Sequence, residues 1–249
     1  DLVYIAVPNI YHYDLAKRAL EKGKNVFLEK PFAMNVRQTR ELIELAKEKK
    51  LFLAEAVWPA FLPMGKEIDR LIAQGIIGEI TGGTIVSLNN VMFLDRVKKP
   101  ELGGGYMLDN GAYTLGFMTQ HFGMDIAEVS SAVRTLDTGV DAEADIQVRY
   151  RSGITVTVRQ QMDAETEYEC AEIFGTKGTI CLPGIANPEY CWIYDQNGNL
   201  IRELVREKQI VNQGMPPVAG YDYEFEAVEK AIREGKQELG EITWERTLA

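Results

Sequence analysis

The sequence predicts an α/β fold that continues into an α+β domain. Over the first 56 residues, short apolar runs alternate with amphipathic segments, which is typical of a parallel, doubly wound sheet. From Val57 onward, β-like runs dominate and the helices are set apart, as in a domain built on an antiparallel sheet. No repeat or linker lies between the two patterns, so we place the domain boundary where the pattern changes. The predicted domains cover residues 1–56 and 57–249.

The first predicted domain follows the order strand, helix, strand, helix, strand. Both helices carry their apolar residues on one side. Gly23 ends the first helix, and Asn35 with Gln38 three residues later resembles a capping box at the start of the second. The predicted strands cover residues 1–7, 26–30 and 51–56, and the predicted helices cover residues 11–22 and 35–50.

The second predicted domain begins with a helix and a strand and then becomes rich in β signals. Gly75 ends the first helix, and the triplet Gly103-Gly104-Gly105 precedes another one. Polar stretches that contain glycine, such as 151–153 and 196–199, predict hairpin turns. The predicted helices cover residues 63–74, 106–122 and 221–234, and the predicted strands cover residues 80–88, 126–136, 144–150, 154–161, 168–174, 179–182, 190–194 and 200–205.

Composition and charge limit the possible classes of function. The 249 residues are 46% hydrophobic and 26% charged, which are values of a folded globular protein. A formal net charge of −10 argues against nucleic acid or an anionic membrane as a partner, because both attract clustered positive charge. No apolar run approaches the roughly 18 residues of a membrane span and no signal peptide precedes the first strand, so we expect a soluble, cytoplasmic protein.

The cysteines and histidines predict no metal site. Cys170, Cys181 and Cys191 form no C-x-x-C pair, and His12 and His121 are the only histidines in the sequence. An odd number of thiols fits a reducing compartment, and as small apolar residues in strands the cysteines need no further role.

The glycine-rich signature of a dinucleotide-binding sheet does not occur in the first domain. Such a sheet normally opens with a strand, the pattern Gly-x-Gly-x-x-Gly and a helix, followed by a residue that selects NAD or NADP. If the sheet is of this type, the sequence holds its second half, and we expect roughly 60 to 80 further residues before it.

Two pairs of polar residues are candidates for chemistry. Glu29 and Lys30 end a buried strand, and ligands of open parallel sheets bind outside the carboxyl ends of the strands. Asp109 and Tyr113 lie four residues apart on one face of the helix after the glycine triplet, a spacing that suits the lining of a cleft. Each pair also has a purely structural interpretation. Glu29 and Lys30 can be charged loop residues after a strand, and Asp109 and Tyr113 can be an acidic residue at a helix start and a half-buried phenol. Trp58 is likewise either a ligand platform or an aromatic residue at a domain interface.

Taken together and in order, the motifs of this sequence resemble the Gfo/Idh/MocA family of NAD(P)-dependent oxidoreductases. No single motif is specific, but four occur at suitable distances, and the similarity continues to residues 231–236, so it covers essentially the whole chain. The motifs are Val7-Pro8-Asn9 with His12, Glu29-Lys30-Pro31, Trp58 with Phe61 and Pro63, and Gly103-Gly104-Gly105 with Asp109 and Tyr113.

The resemblance implies a Rossmann domain followed by an open, mostly antiparallel sheet flanked by helices, with NAD or NADP and the substrate in the cleft between them. It implies self-association as a homodimer or homotetramer, and it leaves the Lys30–Pro31 bond open to the cis form. Tyr113 stands where many members carry His, as in the branch of glucose-fructose oxidoreductase and dimeric dihydrodiol dehydrogenases. Ala60 stands where relatives often have Arg, so a substrate contact through that Arg is not carried over. The residues implied to border the cofactor are Val7, Pro8, Asn9, His12, Glu29, Lys30 and Trp58.

We hypothesise that Lys30, Asp109 and Tyr113 catalyse hydride exchange between a nicotinamide cofactor and a hydroxyl or carbonyl of a sugar, polyol or cyclic diol. Tyr113 would exchange the hydroxyl proton, and Lys30 would lower the pKa of this phenol from its usual value of about 10. Asp109 would hold substrate hydroxyls or Lys30. The alternatives are an NAD(P)-binding regulator without turnover and an NAD-dependent glycoside hydrolase. The three residues together favour the enzyme, because a sensor needs no proton-transfer pair.

Overall fold

Two β-sheets, each with its own core, organise the protein in the computed structural model, which describes residues 1–206 and 220–249. The first sheet and its helices, here called the first lobe, show the predicted parallel α/β arrangement. Its three strands are parallel and lie in chain order. The elements are β1 (Leu2–Ile5), α1 (His12–Glu21), β2 (Asn25–Glu29), α2 (Val36–Lys49) and β3 (Leu53–Ala56).

The start of α2 confirms the predicted capping signal. Oδ1 of Asn35 accepts the backbone N–H of Gln38 at 3.1 Å. The side chain of Gln38 accepts the backbone N–H of Met34 at 3.0 Å, one residue before the cap. Two backbone donors near the helix start are thus satisfied, which fixes the loop between β2 and α2.

The second sheet has eight strands and is mostly antiparallel, as the resemblance implied. Its strands are β4 (Ile80–Asn90), β5 (Ile126–Thr135), β6 (Asp141–Tyr150), β7 (Thr155–Gln161), β8 (Asp163–Gly175), β9 (Gly178–Leu182), β10 (Tyr190–Asp195) and β11 (Leu200–Val205). Their order is β11-β10-β9-β8-β4-β7-β6-β5. Within the described strands of this sheet, β4 and β7 are parallel and the other neighbours are antiparallel.

Helices α3 (Pro63–Ala73) and α5 (Tyr106–Phe122) cover the inner face of the second sheet and complete the second lobe. Ile68 of α3 and Phe117 of α5 belong to one buried cluster with residues of the strands. Full burial of side chains of this size contributes about 1.5–3 kcal/mol each. This packing fixes α5, which carries two of the predicted catalytic residues.

The C-terminal segment returns to the first lobe. Val228 of α6 (Tyr221–Arg233) packs in a buried cluster with Phe27 of β2. The indole of Trp244, at the start of α7 (Trp244–Leu248), donates to the carbonyl of Leu53 at 2.8 Å. The predicted second domain, residues 57–249, therefore contains a segment that packs on the first sheet, and the boundary at residue 57 stays a prediction.

The sequence prediction missed two short helices, α4 (Asp95–Lys98) and α7. They contain four and five residues, which is too few for helical periodicity to be visible. Both contribute to the region of the predicted site, since α4 carries Arg96 and α7 carries Arg246 and Thr247.

Membrane spans and metal clusters are not found in the described part of the chain. No helix there is long and apolar enough to cross a membrane. No group of three or more His, Cys, Asp or Glu side chains there is arranged to hold a metal ion. The three cysteines are free thiols, and Cys191 is buried in the core of the second lobe.

Candidate active site

Lys30 and Tyr113, predicted from distant parts of the sequence, lie in contact between the two lobes. Lys30 follows the last residue of β2, and Tyr113 lies in the second turn of α5. The Nζ atom of Lys30 is 4.6 Å from the centroid of the Tyr113 ring. An ammonium over a ring face is attracted by the ring quadrupole. The amine and the phenol therefore share one cleft.

Asp109 holds Lys30 from the neighbouring turn of α5. Nζ of Lys30 donates to the main-chain carbonyl of Asp109 and lies 3.5 Å from its Oδ1 atom. Arg96 of α4 donates to the same carboxylate oxygen. The side chains of Lys30 and Asp109 are each only 13% exposed, so this ion pair is weakly screened by solvent. Arg96 was not among the predicted residues.

The glycine triplet before α5 is closely packed, and its first residue lies against the first lobe. Gly103 has φ +74°, and a Cβ atom there would lie 2.7 Å from Sδ of Met34 and 3.0 Å from Cβ of Asn9. At Gly104 a Cβ atom would lie 2.7 Å from the carbonyl oxygen of Val97. The side chain of Asn9 donates to the carbonyl of Gly103 at 2.9 Å. A side chain at Gly103 would therefore collide with the loops after β1 and β2, whereas one at Gly104 would displace α4.

Burial controls the protonation of both central groups. Burial is the largest cause lowering the pKa of Lys30, and the negative charge of Asp109 opposes it. Burial also raises the pKa of Tyr113 to about 12; a hydrogen bond with Trp58 opposes this rise, and the nearby carboxylates of Glu29 and Asp109 add to it. The expectation that Lys30 brings the pKa of this phenol below 10 is therefore wrong for this arrangement. The phenol of Tyr113 therefore keeps its proton at neutral pH.

The residues implied to border the cofactor gather at the carboxyl ends of the first sheet. Val7 and Pro8 are exposed there. Glu29 accepts the hydroxyl of Tyr4 at 2.5 Å. His12 is fully buried, and its ring nitrogens lie 2.7 Å from the carbonyl oxygen of Pro31 and 2.9 Å from that of Val7. His12 therefore supports two of the loops at this edge.

Trp58 lies beside the phenol on the side of the second lobe. Its ring centroid is 6.3 Å from that of Tyr113 and 5.4 Å from that of Tyr221 at the start of α6. The side chain is half-buried. The indole thus contributes to the wall of the cleft and to the hydrogen bonding of Tyr113.

The edge of the first sheet fits a dinucleotide. Ile5, Leu28 and Glu55 are paired across the three strands, so the strands end level with one another. Open parallel sheets bind ligands outside such level carboxyl ends. The Lys30–Pro31 peptide is cis, as the resemblance left open. The same edge faces α5, so a cofactor bound there would lie between the lobes.

A buried carboxyl group, Glu224, also belongs to this region and was not predicted. It lies in the first turn of α6 with no exposed surface, and neither of its oxygen atoms has a hydrogen-bond partner among residues 1–206 and 220–249. Burial, with the nearby charge of Glu29, raises its pKa to about 8. Its side chain faces inward like that of Val228, which lies four residues later in α6. This i, i+4 spacing from a buried apolar residue is the sequence pattern that could have predicted the burial of Glu224.

The substitution Glu224→Gln is expected to stabilise the protein at alkaline pH. The pKa of this carboxyl rises from 4.5 to about 8 on folding, so the folded state binds its proton more tightly. Stability is therefore lost as pH rises from about 4.5 to about 8, and the neutral Gln avoids this loss. We expect a gain of about 1–3 kcal/mol in the free energy of unfolding at pH 9 and little change at pH 5.

Urea unfolding of the wild type, Glu224→Gln and the control Glu226→Gln at both pH values measures this difference. Glu226 lies on the same helix but is exposed, so its substitution should leave the pH dependence unchanged. Equal pH dependence in all three proteins would contradict the assignment of a buried, protonated Glu224.

These features define a class of protein. A parallel sheet faces a largely antiparallel one across a cleft, and the cleft holds an amine, a carboxylate and a phenol. This is the architecture of two-domain oxidoreductases that use a dinucleotide.

Comparison with known proteins identifies the family. Residues 1–56 match the model of the oxidoreductase family with an NAD-binding Rossmann fold, and residues 66–181 match the GFO/IDH/MocA C-terminal domain. The chain belongs to the Gfo/Idh/MocA family of oxidoreductases, and its first lobe is part of an NAD-binding Rossmann domain.

Three similar proteins illustrate the relationship, two by sequence and one by structure. The chain is 35% identical over 184 residues to a trans-1,2-dihydrobenzene-1,2-diol dehydrogenase of Xenopus tropicalis, a match that spans 74% of this chain and 56% of that protein. It is 31% identical over 256 residues to a scyllo-inositol 2-dehydrogenase (NADP(+)) of Bacillus subtilis, covering 100% of this chain and 74% of that one. A 3-ketoreductase of Actinomadura kijaniata, solved with NADP and TDP-benzene, shares the fold with a TM-score of 0.85 at 23% identity, over 100% of this chain and 74% of that one.

Proposed function

We propose that the protein is an NAD(P)-dependent dehydrogenase or reductase that acts on the CH–OH group of a sugar, a polyol or a cyclic diol. The contact between Lys30 and Tyr113, with Nζ 4.6 Å from the ring centroid, carries this proposal. An amine and a phenol at one point of a cleft are the groups needed to orient a hydroxyl and exchange its proton. The similarity to a diol dehydrogenase and an inositol dehydrogenase supports the substrate class.

The three central residues have separate roles in this proposal. Tyr113 exchanges a proton with the substrate oxygen, and its high pKa makes it the donor when a carbonyl is reduced. Lys30 directs its positive charge at the same oxygen and stabilises the negative charge that develops there. Asp109, with Arg96, holds Lys30 in place from α5. The bound cofactor supplies the other half of the reaction by accepting or donating hydride.

The cofactor site in this proposal is the level edge of the first sheet. Val7, Pro8 and Asn9 border it after β1, and Glu29 and Lys30 border it at the end of β2. His12 keeps the loops after β1 and β2 in position through the carbonyl oxygens of Val7 and Pro31. Trp58 forms the wall of the site next to Tyr113. These residues surround the expected nicotinamide end and are compatible with either NAD or NADP.

A dehydrogenase assay of the full-length protein tests the proposal. The substrates are inositols, pentoses, hexoses and trans-dihydrodiols, each with NAD⁺ or NADP⁺, and the measured quantity is absorbance at the nicotinamide band. We expect turnover with at least one cyclic polyol or sugar. Cofactor binding without turnover would favour the regulator, and glycoside cleavage without net change in reduced cofactor would favour the hydrolase.

We also propose a homodimer or homotetramer in the cytoplasm. Strand β5 lies at one edge of the second sheet, and its Val129 and Val133, on the same face of the strand, are 57% and 53% exposed. Association through this sheet would cover them. The free thiols support a reducing compartment. Light scattering of the full-length protein measures the number of subunits, and a monomer would contradict the proposal.

A further inference from the structure

The turn that carries Lys30 is held by side chains on both sides. Pro31 has no N–H group, so Phe32 provides the first main-chain donor after Lys30. Oε1 of Glu55 accepts this N–H at 2.9 Å. On the opposite side, the carbonyl of Pro31 is 2.7 Å from the ring of His12. The position of Lys30 thus depends on a carboxylate from the neighbouring strand, β3.

Glu55 also contacts the C-terminal helix α7. Its second oxygen accepts the hydroxyl of Thr247 at 3.0 Å. The residue is 9% exposed, and burial raises its pKa to about 7. Both forms of the group keep the two contacts, because the protonated oxygen can donate to the Thr247 hydroxyl instead of accepting from it.

The residue before Thr247, Arg246, connects α7 to the helix that carries Tyr113. The guanidinium of Arg246 donates to the carbonyl of Gly116 at 2.6 Å and to the hydroxyl of Thr119 at 3.0 Å. Gly116 lies three residues after Tyr113 in α5. Hydrogen bonds therefore run from the Lys30 turn through Glu55 and α7 to α5.

We propose that Glu55 is a positioning residue, which together with α7 sets the placement of Lys30 against Tyr113. Glu55 touches neither of these groups and acts through the Phe32 amide and Thr247. Its role rests on the proposed function, since it serves the geometry of the same two residues. A displacement of about 1 Å at such a site reduces turnover by about 100-fold even when the change lies away from the reacting atoms.

The test compares Glu55→Ala, Glu55→Gln and Asn25→Ala in the full-length protein. Gln keeps an acceptor for Phe32 and a donor for Thr247, whereas Ala keeps neither. Asn25 is the matched control, because its side chain accepts the N–H of Phe52 at 3.0 Å at the opposite end of the same two strands. Glu55→Ala is expected to lower kcat by about 100-fold with little change in KM, Glu55→Gln to restore most of it, and Asn25→Ala to leave it unchanged.

Hydrogen exchange of the Phe32 amide gives a second readout that needs no activity. The amide should exchange faster in Glu55→Ala than in the wild type and keep its protection in Asn25→Ala and Glu55→Gln. If Glu55→Ala fails to fold, Thr247→Val takes its place, with a smaller loss of kcat and a faster Phe32 amide. If the wild type is inactive but shows these exchange differences, the proposed function is refuted, whereas the role of Glu55 in positioning the Lys30 turn is not.

Unchanged exchange at Phe32 in the folded Ala variant would overturn the inference. So would wild-type kcat in that variant, or an equal loss of kcat in Asn25→Ala, which would point to general destabilisation of the sheet.

Discussion

Tyr113→Phe in the full-length protein is expected to lower kcat by about 10²–10⁴-fold, the usual contribution of a general acid or base. The phenyl ring keeps its place beside Lys30 and Trp58, which lie 4.6 Å and 6.3 Å from the tyrosine ring. KM and thermal stability should therefore change little. Steady-state kinetics in both directions, with a preferred substrate from the assay, measure the two constants.

The pH dependence of the wild type should reveal the same group. Burial raises the pKa of Tyr113 to about 12, so the phenol is protonated across the neutral range. Reduction uses this protonated form, whereas oxidation needs the phenolate, and the rate of oxidation should rise with pH. This rise should disappear in the Phe variant.

Tyr221→Phe is the matched control for this substitution. Tyr221 also packs against Trp58, at 5.4 Å, and burial also raises its pKa to about 12, but it lies on α6 rather than beside Asp109. We expect near wild-type turnover. Wild-type turnover in Tyr113→Phe, or an equal loss in both variants, would show that the proton does not pass through Tyr113.

The parts of this site that the sequence could predict are those set by local patterns. An apolar run that ends in Glu29 and Lys30 predicts a buried strand with polar residues at its carboxyl end, and the structure has β2 end there. The i, i+4 spacing of Asp109 and Tyr113 predicts one helical face. That the two segments face each other across a cleft came from the family resemblance, because local sequence patterns hold no information about contacts between distant segments.

The residues that were missed depend on contacts far apart in the sequence. Arg96 lies in a polar connection without periodicity, and it reaches Asp109 only because α4 packs closely against Gly104. Glu55 did leave a signal, since a single acid inside the apolar run 51–56 needs a partner when buried. That its partners are Phe32 and Thr247 depends on the fold of the C-terminal segment.

The pKa of Tyr113 shows a different limit of sequence reasoning. Spacing and motif order brought Lys30 next to the phenol, and a neighbouring ammonium alone would lower its pKa. The degree of burial and the number of carboxylates around the ring are properties of the packed cleft, and both act in the opposite direction. The charge of Lys30 is therefore better understood through its effect on the substrate oxygen.

Lys30→Met is expected to lower kcat by about 10²–10³-fold, the effect of removing one preorganised charge from an active site. The Met side chain fills a similar volume, but it can neither donate to the Asp109 carbonyl nor place a positive charge over Tyr113. The carboxylate of Asp109 keeps Arg96 as a partner, so the variant is not left with an unpaired buried charge. Kinetics and thermal unfolding separate the loss of activity from a loss of stability.

The pH profile distinguishes the charge of Lys30 from its size. Burial lowers the pKa of this amine, so the wild-type rate of reduction, in which Tyr113 stays protonated, should fall as pH rises through that lowered value, at a pH where an exposed lysine would still be protonated. Lys30→Met has no proton to lose there, and its residual activity should lack this decrease. Lys99→Met is the control, because Lys99 is 45% exposed and pairs with Asp95 at 2.9 Å, away from the phenol. If the decrease persists in Lys30→Met, another group carries the charge, and the assignment of Lys30 as the electrostatic partner of the substrate oxygen is wrong.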